Sequence, residues 1–182
     1  MPKLEIELRS QLEAYLPADE AEAERLERMR SLCTKVDPFL RTSFEPGHFT
    51  ASAFILSPDR GALLLILHAK LGRWLQPGGH VEVGDVDLLA AARREVREEV
   101  GIQDLSLLQP GPIDVDIHAI PARKDEPSHA HFDVRYLFRA PTLQFQAASD
   151  AVAARWVPLS QVDAAFADAS VARVVDKLRR LT

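Results

Sequence analysis

The sequence predicts an α+β fold built around a sheet, with a helical extension at the N-terminus. Residues 3–36 are rich in Leu, Glu, Arg and Ala, and their apolar side chains recur at about the 3.6-residue period of a helix. The later segments combine apolar or alternating runs, which are typical of strands, with further helical patterns. Because these patterns do not alternate as regular βαβ units, we expect a mixed arrangement of strands and helices.

The composition is that of a compact globular protein. The 182 residues carry 22 basic and 27 acidic side chains, a net charge of −5, and 47% of them are apolar. A single cysteine cannot close an internal disulfide, and no apolar run approaches the length of a membrane span. We therefore expect a cytoplasmic protein that is neither a secreted disulfide scaffold nor bound to a membrane. The acidic balance also argues against extended nucleic acid as a partner, although small anions held through a metal stay open.

Two helices are predicted in the N-terminal region. Pro17 interrupts the helical pattern, and Asp19 followed by Glu22 is typical of a helix start. Prolines and a glycine break the pattern further along, where the strand-like segments begin. We assign residues 1–44 to an N-terminal helical extension and residues 45–182 to the main domain.

The main domain is predicted to contain several strands and one long central helix. Strands are expected at residues 48–57, 62–70, 112–121, 129–139 and 155–157. Helices are expected at residues 87–100, 160–167 and 170–181. A Ser-Pro-Asp-Arg-Gly turn joins the first two strands as a hairpin, and Gly101 is a typical helix stop.

Three carboxylates lie on one face of the predicted central helix. Glu95, Glu98 and Glu99 are spaced i, i+3 and i+4, so their side chains point the same way. Like charges at these spacings repel by about 0.2–0.5 kcal/mol per pair, which indicates that a positive charge sits among them. Clustered oxygen ligands favour a hard divalent cation such as Mg²⁺ or Mn²⁺. The alternative is a charged helix face that points into water, which is common.

A fixed pattern of glycines and charged residues surrounds this helix. Residues 79–85 read Gly-His-Val-Glu-Val-Gly-Asp, and residues 94–102 read Arg-Glu-Val-Arg-Glu-Glu-Val-Gly-Ile. Together they resemble the Nudix box, G-x5-E-x7-R-E-U-x-E-E-x-G-U, where U is a bulky aliphatic residue, and the second half matches at every fixed position. In the first half, Asp85 stands where the family usually has Glu, and eight residues rather than seven separate it from Arg94. We place the extra residue in the loop before the helix, where it leaves the helix register intact.

The resemblance implies an α/β/α sandwich with a mixed central sheet. It also implies a hydrolase that uses Mg²⁺ or Mn²⁺ to cleave a diphosphate linkage in a nucleoside diphosphate joined to another group. The implied metal ligands are the three box glutamates and one backbone carbonyl: Glu95, Glu98, Glu99 and Gly78. Arg94 would pair with a box carboxylate and hold it in place. The general base would be Glu98 or, outside the box, Glu126, which reads equally well as a solvated loop acid.

Polar side chains gather on one face of the two alternating strands. They are Asp114, Asp116 and His118 on the first strand, and His129, His131, Asp133 and Arg135 on the second. The alternative is an ordinary exposed sheet face, although Asp, His and Arg at this density are unusual there. Together with two residues ahead of the glycine pair, this face supplies the candidate substrate-binding residues: Arg73, Trp74, His118, His131, Asp133 and Arg135.

The histidines show no fixed spacing that indicates a structural zinc site, so none is predicted. Histidine and aspartate on the polar face can ligate a transition metal, and a second-metal role therefore stays open beside substrate binding. His48, Gln76 and His80 lie near the glycine turn in sequence, and each is typical of a strand end or a loop.

Three functions are compatible with these patterns. The first is a cytoplasmic, Mg²⁺-dependent diphosphatase acting on a small nucleotide-type substrate, and its support is the intact segment 94–101. The second is a Nudix-fold module that binds a nucleotide metabolite without hydrolysing it; such modules usually lose box glutamates, and this chain keeps all three. The third, an isoprenoid diphosphate isomerase, needs a catalytic cysteine near the sheet, whereas Cys33 lies in the helical extension. The substrate, the role of the extension and a homodimeric state stay open.

Overall fold

The structure is a computed structural model that describes residues 2–68, 72–146 and 151–181. Its α-helices in the described residues are α1 (Pro2–Ala14), α2 (Glu20–Leu32), α3 (Leu88–Val100) and α4 (Ala169–Leu181). Its strands there are β1 (Gly47–Leu56), β2 (Ala62–His68), β3 (Arg73–Leu75), β4 (Gly78–His80), β5 (Ser106–Leu107), β6 (Asp114–Ile120), β7 (His129–Arg139) and β8 (Ala151–Pro158). None of the helices in these ranges has the length and apolar character needed to cross a membrane.

The eight strands form one mixed sheet. Its main order is β3-β2-β1-β7-β5, with β4 paired to β1, β6 to β7 and β8 to β2. The β1–β7 pair is parallel and runs in unbroken register from Gly47 opposite Ala130 to Leu56 opposite Arg139, whereas the other pairs are antiparallel. Every residue of β1 is buried, as its continuous apolar run predicts for a strand covered on both faces.

Helices cover both faces of the sheet, which gives the sandwich layering. One apolar cluster joins α1, α2 and α3 to the face of β1 and β7 that carries Phe49, Ala51 and Val134. A second cluster joins α4 to the opposite face, at the end that carries Phe54 and Leu137. Because side chains alternate along a strand, the remaining positions of that second face are free to carry the polar residues.

Local signals place the helix ends where the sequence predicts them. The Asp19 carboxylate accepts a hydrogen bond from the Glu22 amide at 2.8 Å and begins α2. The Asp87 carboxylate accepts a hydrogen bond from the Ala90 amide at 2.6 Å and begins α3. Gly101 ends α3 in the left-handed conformation, with φ 70°. The extra residue of the box therefore lies in the loop before α3, and the helix register is preserved.

The prediction of a helix at residues 160–167 is wrong. The chain forms only a short 3-10 helix at Leu159–Gln161, followed by turns. The Asp163 carboxylate accepts hydrogen bonds from the amides of Ala165 and Phe166, and such local bonds favour a turn over a helix. The strands β3, β4 and β5 were not predicted, because two or three residues are too few to show an alternating pattern.

A buried ion-pair network fills the polar part of the face beneath α4. At its centre, the Arg135 guanidinium donates to Asp133 at 2.8 Å, to Asp116 at 3.0 Å and to Asp114 at 3.2 Å. From α4, Arg173 donates to Asp114 at 2.7 Å and to Asp116 at 2.8 Å. Arg135 and the three aspartates are all buried, so this part of the face is not the exposed sheet surface that sequence reasoning left open.

The same network ties the N-terminal extension to α4. The fully buried Glu22 carboxylate accepts hydrogen bonds from the Tyr15 hydroxyl and the Ala18 amide, each at 2.6 Å, and from the Lys177 ammonium. Lys177 also donates to Asp114 at 2.7 Å. Burial, followed by the hydrogen bond to Glu22, raises the pKa of Tyr15, so its hydroxyl keeps its proton and acts as a donor. The extension is therefore an integral part of the packed structure.

Replacing Glu22 by Ala is expected to lower the free energy of unfolding by about 3 kcal/mol, because Lys177 and Tyr15 lose a buried partner. Urea unfolding followed by circular dichroism measures this change. The control is Glu27→Ala on the same helix, which removes only the exposed pair with Arg30 and should change stability by less than about 0.5 kcal/mol. Equal effects of the two substitutions would contradict the structural role of Glu22.

The aspartate network also predicts sensitivity to acid. Burial alone would raise the pKa of Asp114 and Asp116, but the hydrogen bond from Arg173 to Asp114, that from His118 to Asp116 and the nearby arginines lower both values. The unfolded chain therefore takes up protons first, at pH values below about 4, and stability falls from there as the pH drops. Thermal unfolding midpoints between pH 7 and 2.5 should show this fall, and Asp116→Asn should be less stable at pH 7 with a shallower fall. Parallel curves for the two proteins would contradict it.

Candidate functional site

The three box glutamates lie at the edge of the sheet beside β4. Val96 and Val100 anchor α3 in the core, and this leaves the acidic arc of the helix turned towards the glycine strand. The Glu99 carboxylate accepts a hydrogen bond from the Gly78 amide at 3.0 Å. Two of the glutamates pair with Arg94, and their side chains differ in exposure: that of Glu98 is 51% exposed and that of Glu95 is 15% exposed.

Two glycines allow this close approach of strand and helix. A Cβ atom on Gly79 would lie 2.6 Å from Glu95 Oε1, and a Cβ atom on Gly78 would lie 2.4 Å from Ser52 Oγ and 2.7 Å from Ser52 Cα. All three distances are shorter than real Cβ contacts, so a side chain at either position would force its neighbour to move. The glycine pair therefore brings the backbone of β4 against the carboxylates of α3.

Arg94 holds the acidic cluster together. Its guanidinium donates to both oxygens of Asp85, at 3.2 and 3.0 Å, to Glu95 at 2.8 Å and to Glu98 at 3.0 Å. It also donates to the backbone carbonyl of His80 at 2.7 Å. Asp85 therefore forms a two-pronged ion pair with Arg94 in spite of its shorter side chain and the extra residue.

The electrostatics of the cluster favour a further cation. Burial raises the pKa of Glu95, Arg94 opposes this shift, and the charge of Glu98 adds to it. Burial acts to lower the pKa of Arg94, but the hydrogen bonds to Asp85 and Glu95 outweigh it and raise that pKa. Arg94 therefore stays charged. One guanidinium lies within 4.0 Å of four carboxylates here, those of Glu82, Asp85, Glu95 and Glu98. This excess of negative charge, made of oxygen donors, is the environment that divalent cations occupy in proteins.

Five histidines form a second cluster on the opposite face of β4, and we call it the histidine cluster: His48, His80, His118, His129 and His131. The ring centroids of His48, His80 and His131 lie 4.8–5.1 Å from one another. Burial and the neighbouring rings lower the pKa of His131 to about 2 and that of His80 to about 4. These imidazoles are therefore neutral at pH 7.

Sequence reasoning missed His48 and His80. They come together with His131 only through the parallel register of β1 and β7 and the pairing of β4 with β1. No local pattern in the sequence indicates this contact, because it depends on the pairing of strands that are distant along the chain. Gln76 was also missed, and its amide donates to Ser52 at 3.3 Å and to Asp133 at 3.4 Å.

The predicted substrate-binding residues divide into three groups in the structure. His118 and His131 belong to the histidine cluster, and Asp133 and Arg135 belong to the buried ion-pair network, where protein groups occupy them. Arg73 and Trp74 lie on β3, which pairs with the end of β2. Arg73 is exposed and pairs with Asp168 at 3.2 Å, and Trp74 stacks on Phe166 with Arg155 above both rings. Their roles towards a substrate stay predictions.

Glu126, the second predicted base, lies in the loop between β6 and β7. Its described contacts are an ion pair with Arg41 at 3.7 Å and backbone hydrogen bonds with Arg123. Its charge acts to raise the pKa values of His48 and His80, so it lies on the side of the histidine cluster. The described contacts join it to neither Glu95 nor Glu98, and its role as a base stays a prediction.

Several solved structures share this fold. A NUDIX-family hydrolase from Clostridium perfringens aligns with a TM-score of 0.58 and 23% identity, over 72% of this chain and 97% of that one. An Ap4A hydrolase from C. elegans, in a binary complex, aligns with a TM-score of 0.55 and 20% identity, over 73% and 96%. The dihydroneopterin triphosphate pyrophosphohydrolase of E. coli aligns with a TM-score of 0.55 and 18% identity, over 71% and 92%. These likenesses confirm the expected fold.

None of the curated proteins compared with the chain matches it. A model of a protein family does match. A family model described as the NUDIX domain matches residues 46–178, which is well over half of the chain and includes the whole box. The predicted resemblance is thus confirmed, and the chain belongs to the NUDIX domain family.

Proposed function

We propose that this protein is a metal-dependent hydrolase that cleaves a diphosphate linkage in a small nucleotide-type substrate. The observation that carries the proposal is the cluster of Glu95, Glu98 and Glu99 against the glycine strand, held by Arg94. Two proteins of similar fold are named for the hydrolysis of Ap4A and of dihydroneopterin triphosphate, and both of those compounds contain phosphoanhydride bonds.

The residues present fit Mg²⁺ or Mn²⁺ as the cofactor. Glu95, Glu98 and Glu99 offer carboxylate oxygens, which these hard cations prefer. The peptide of Gly78 lies beside them, because its amide donates to Glu99, and its carbonyl is the proposed further ligand. When bound, such a cation neutralises phosphate oxygens and lowers the pKa of the attacking water.

The chain's own residues have separate tasks in this proposal. Arg94 positions Glu95 and Glu98 while Asp85 holds Arg94 from the loop, so the loop and the helix keep one geometry. Glu98 is our first proposed general base, because its half-exposed carboxylate can reach a water molecule at the surface of the cluster. Glu126 is the second.

Substrate contacts are proposed for two exposed side chains. His118 is 43% exposed and Arg73 is 61% exposed, so each presents a polar group to a bound molecule. The buried Asp133 and Arg135 are proposed to act by holding the sheet face in place. The identity of the group joined to the diphosphate depends on loops and is the first thing to measure.

The proposal is tested by incubating the protein with Mg²⁺ or Mn²⁺ and a panel of nucleoside diphosphate derivatives, and measuring the phosphate-containing products. Glu98→Gln is expected to lower kcat by at least about 100-fold, as loss of a general base or a metal ligand does. Glu24→Gln makes the same chemical change on the exposed side of α2 and should leave kcat unchanged. If no compound is cleaved and one of them still raises the thermal unfolding midpoint with metal, the protein is a binding module and the proposal is wrong.

The glycine strand provides a second test. In Gly79→Ala the new methyl group would meet the Glu95 carboxylate, so Glu95 must move away from its present position. We expect kcat to fall by about 100-fold, the cost of a displacement of about 1 Å at a reacting centre, with the fold retained. Gly84→Ala is the control, because a Cβ atom there meets nothing within 4 Å. Equal activity of the two variants would show that Glu95 needs no fixed position.

A further inference from the structure

We propose a second metal site, formed by His48, His80 and His131, that binds a transition-metal ion of the Zn²⁺ class. It is separate from the carboxylate cluster and does not depend on the proposed hydrolase activity. One ring nitrogen of each histidine lies within 4.8 Å of those of the other two.

The sheet builds this site from three different strands. His48 of β1 stands directly opposite His131 of β7, and His80 of β4 pairs with Thr50 of β1. All three histidines therefore project from the same face of the sheet. Strand pairing fixes their Cα atoms, so closing the site requires only rotation of the side chains. Tetrahedral zinc, with Zn–N bonds of about 2.0–2.1 Å, separates its ligand nitrogens by about 3.3 Å, which such rotations can reach.

Two of the imidazoles carry a buried nitrogen with no hydrogen-bond partner among the described residues. These atoms are Nε2 of His48 and Nε2 of His131. A buried polar atom left unpaired costs about 1–3 kcal/mol, and such atoms are rare in folded proteins unless a water or an ion meets them. Two of them in one cluster indicate a ligand between the rings.

The tautomer of His48 suits a metal ligand. Its Nδ1 lies 3.1 Å from the carbonyl oxygen of Ser43, which can only accept, so Nδ1 carries the proton and Nε2 offers its lone pair. Histidine ligands in proteins are commonly oriented in this way by a backbone carbonyl. Burial lowers the pKa of His48, which keeps the ring neutral and able to ligate at pH 7.

The donor type separates this site from the carboxylate cluster. Three imidazoles suit zinc and its neighbours in the transition series, whereas Mg²⁺ prefers oxygen. Along β4, Gly79 faces Glu95 and the next residue, His80, faces the other side of the strand, so the two clusters lie on opposite faces. The rings of His118 and His129 lie 5.4 and 5.2 Å from that of His131, and one of them or a water completes the coordination.

The first experiment measures zinc itself. Protein stripped with a chelator is titrated with Zn²⁺ in competition with a chromophoric chelator, and we expect about one ion per chain with a preference over Mg²⁺. X-ray absorption spectroscopy of the zinc-loaded wild-type protein should show at least three imidazole ligands. This readout needs no variant, so it tests the proposal even where a substitution harms folding. No zinc bound, or zinc surrounded by carboxylates alone, would overturn it.

Variants then locate the ion. His48→Asn, His80→Asn and His131→Asn are each expected to weaken zinc binding by more than about 100-fold, since loss of an outer-shell partner alone costs about 10–100-fold. His68→Asn, which changes the one histidine outside the cluster, and Glu98→Gln, which changes the carboxylate cluster, should both keep full zinc affinity. Retained affinity in all three cluster variants, or equal loss in Glu98→Gln, would overturn the assignment. Circular dichroism confirms which variants fold.

Discussion

The parallel pairing of β1 with β7 is the constraint on which the rest of the structure depends. It runs in one register over ten residue pairs, so each residue of β1 has a fixed neighbour on β7. One set of alternate positions faces α1, α2 and α3 and builds the larger apolar core. The other set aligns His48, Thr50 and Ser52 with His131, Asp133 and Arg135. A shift by one residue would turn the polar set into the core, and burial of both faces excludes such a shift.

The polar face is divided by what covers it. Under α4, arginine and lysine side chains neutralise the aspartates, and the result is a closed ion-pair network. Beyond α4 the same face carries the histidine cluster instead, and burial lowers the pKa values of His48, His80 and His131 there. Across β4, one arginine meets an excess of carboxylates. Three neighbouring environments therefore differ in charge: one is balanced, one is neutral, and one is negative. The neutral one offers imidazole nitrogens as metal ligands and the negative one offers carboxylate oxygens, whereas the balanced one offers neither.

Much of this could be predicted where the signal is local. Asp19, Asp87 and Gly101 mark helix ends through contacts within a few residues, and the acidic arc of α3 follows from helical spacing. The box pattern then identified the family. The association of His48 with His131 could not be predicted, because it depends on the register between strands separated by most of the domain. The burial of Arg135 was missed for the same reason: its covering residues come from α4. The false helix after residue 159 shows the reverse case, in which composition suggested a helix and one aspartate side chain favoured a turn.

The contact between Glu22 and Lys177 also constrains how the chain acquires its structure during synthesis. The two residues are 155 positions apart, so the second helix leaves the ribosome long before the lysine that neutralises its buried carboxylate exists. Until then the glutamate has only its local partners, Tyr15 and Ala18, and burying its charge without the lysine is costly. Final docking of α2 therefore requires that α4 is already made and in place. Non-local contacts of this length slow folding, and here they couple the stability of α2 to that of α4.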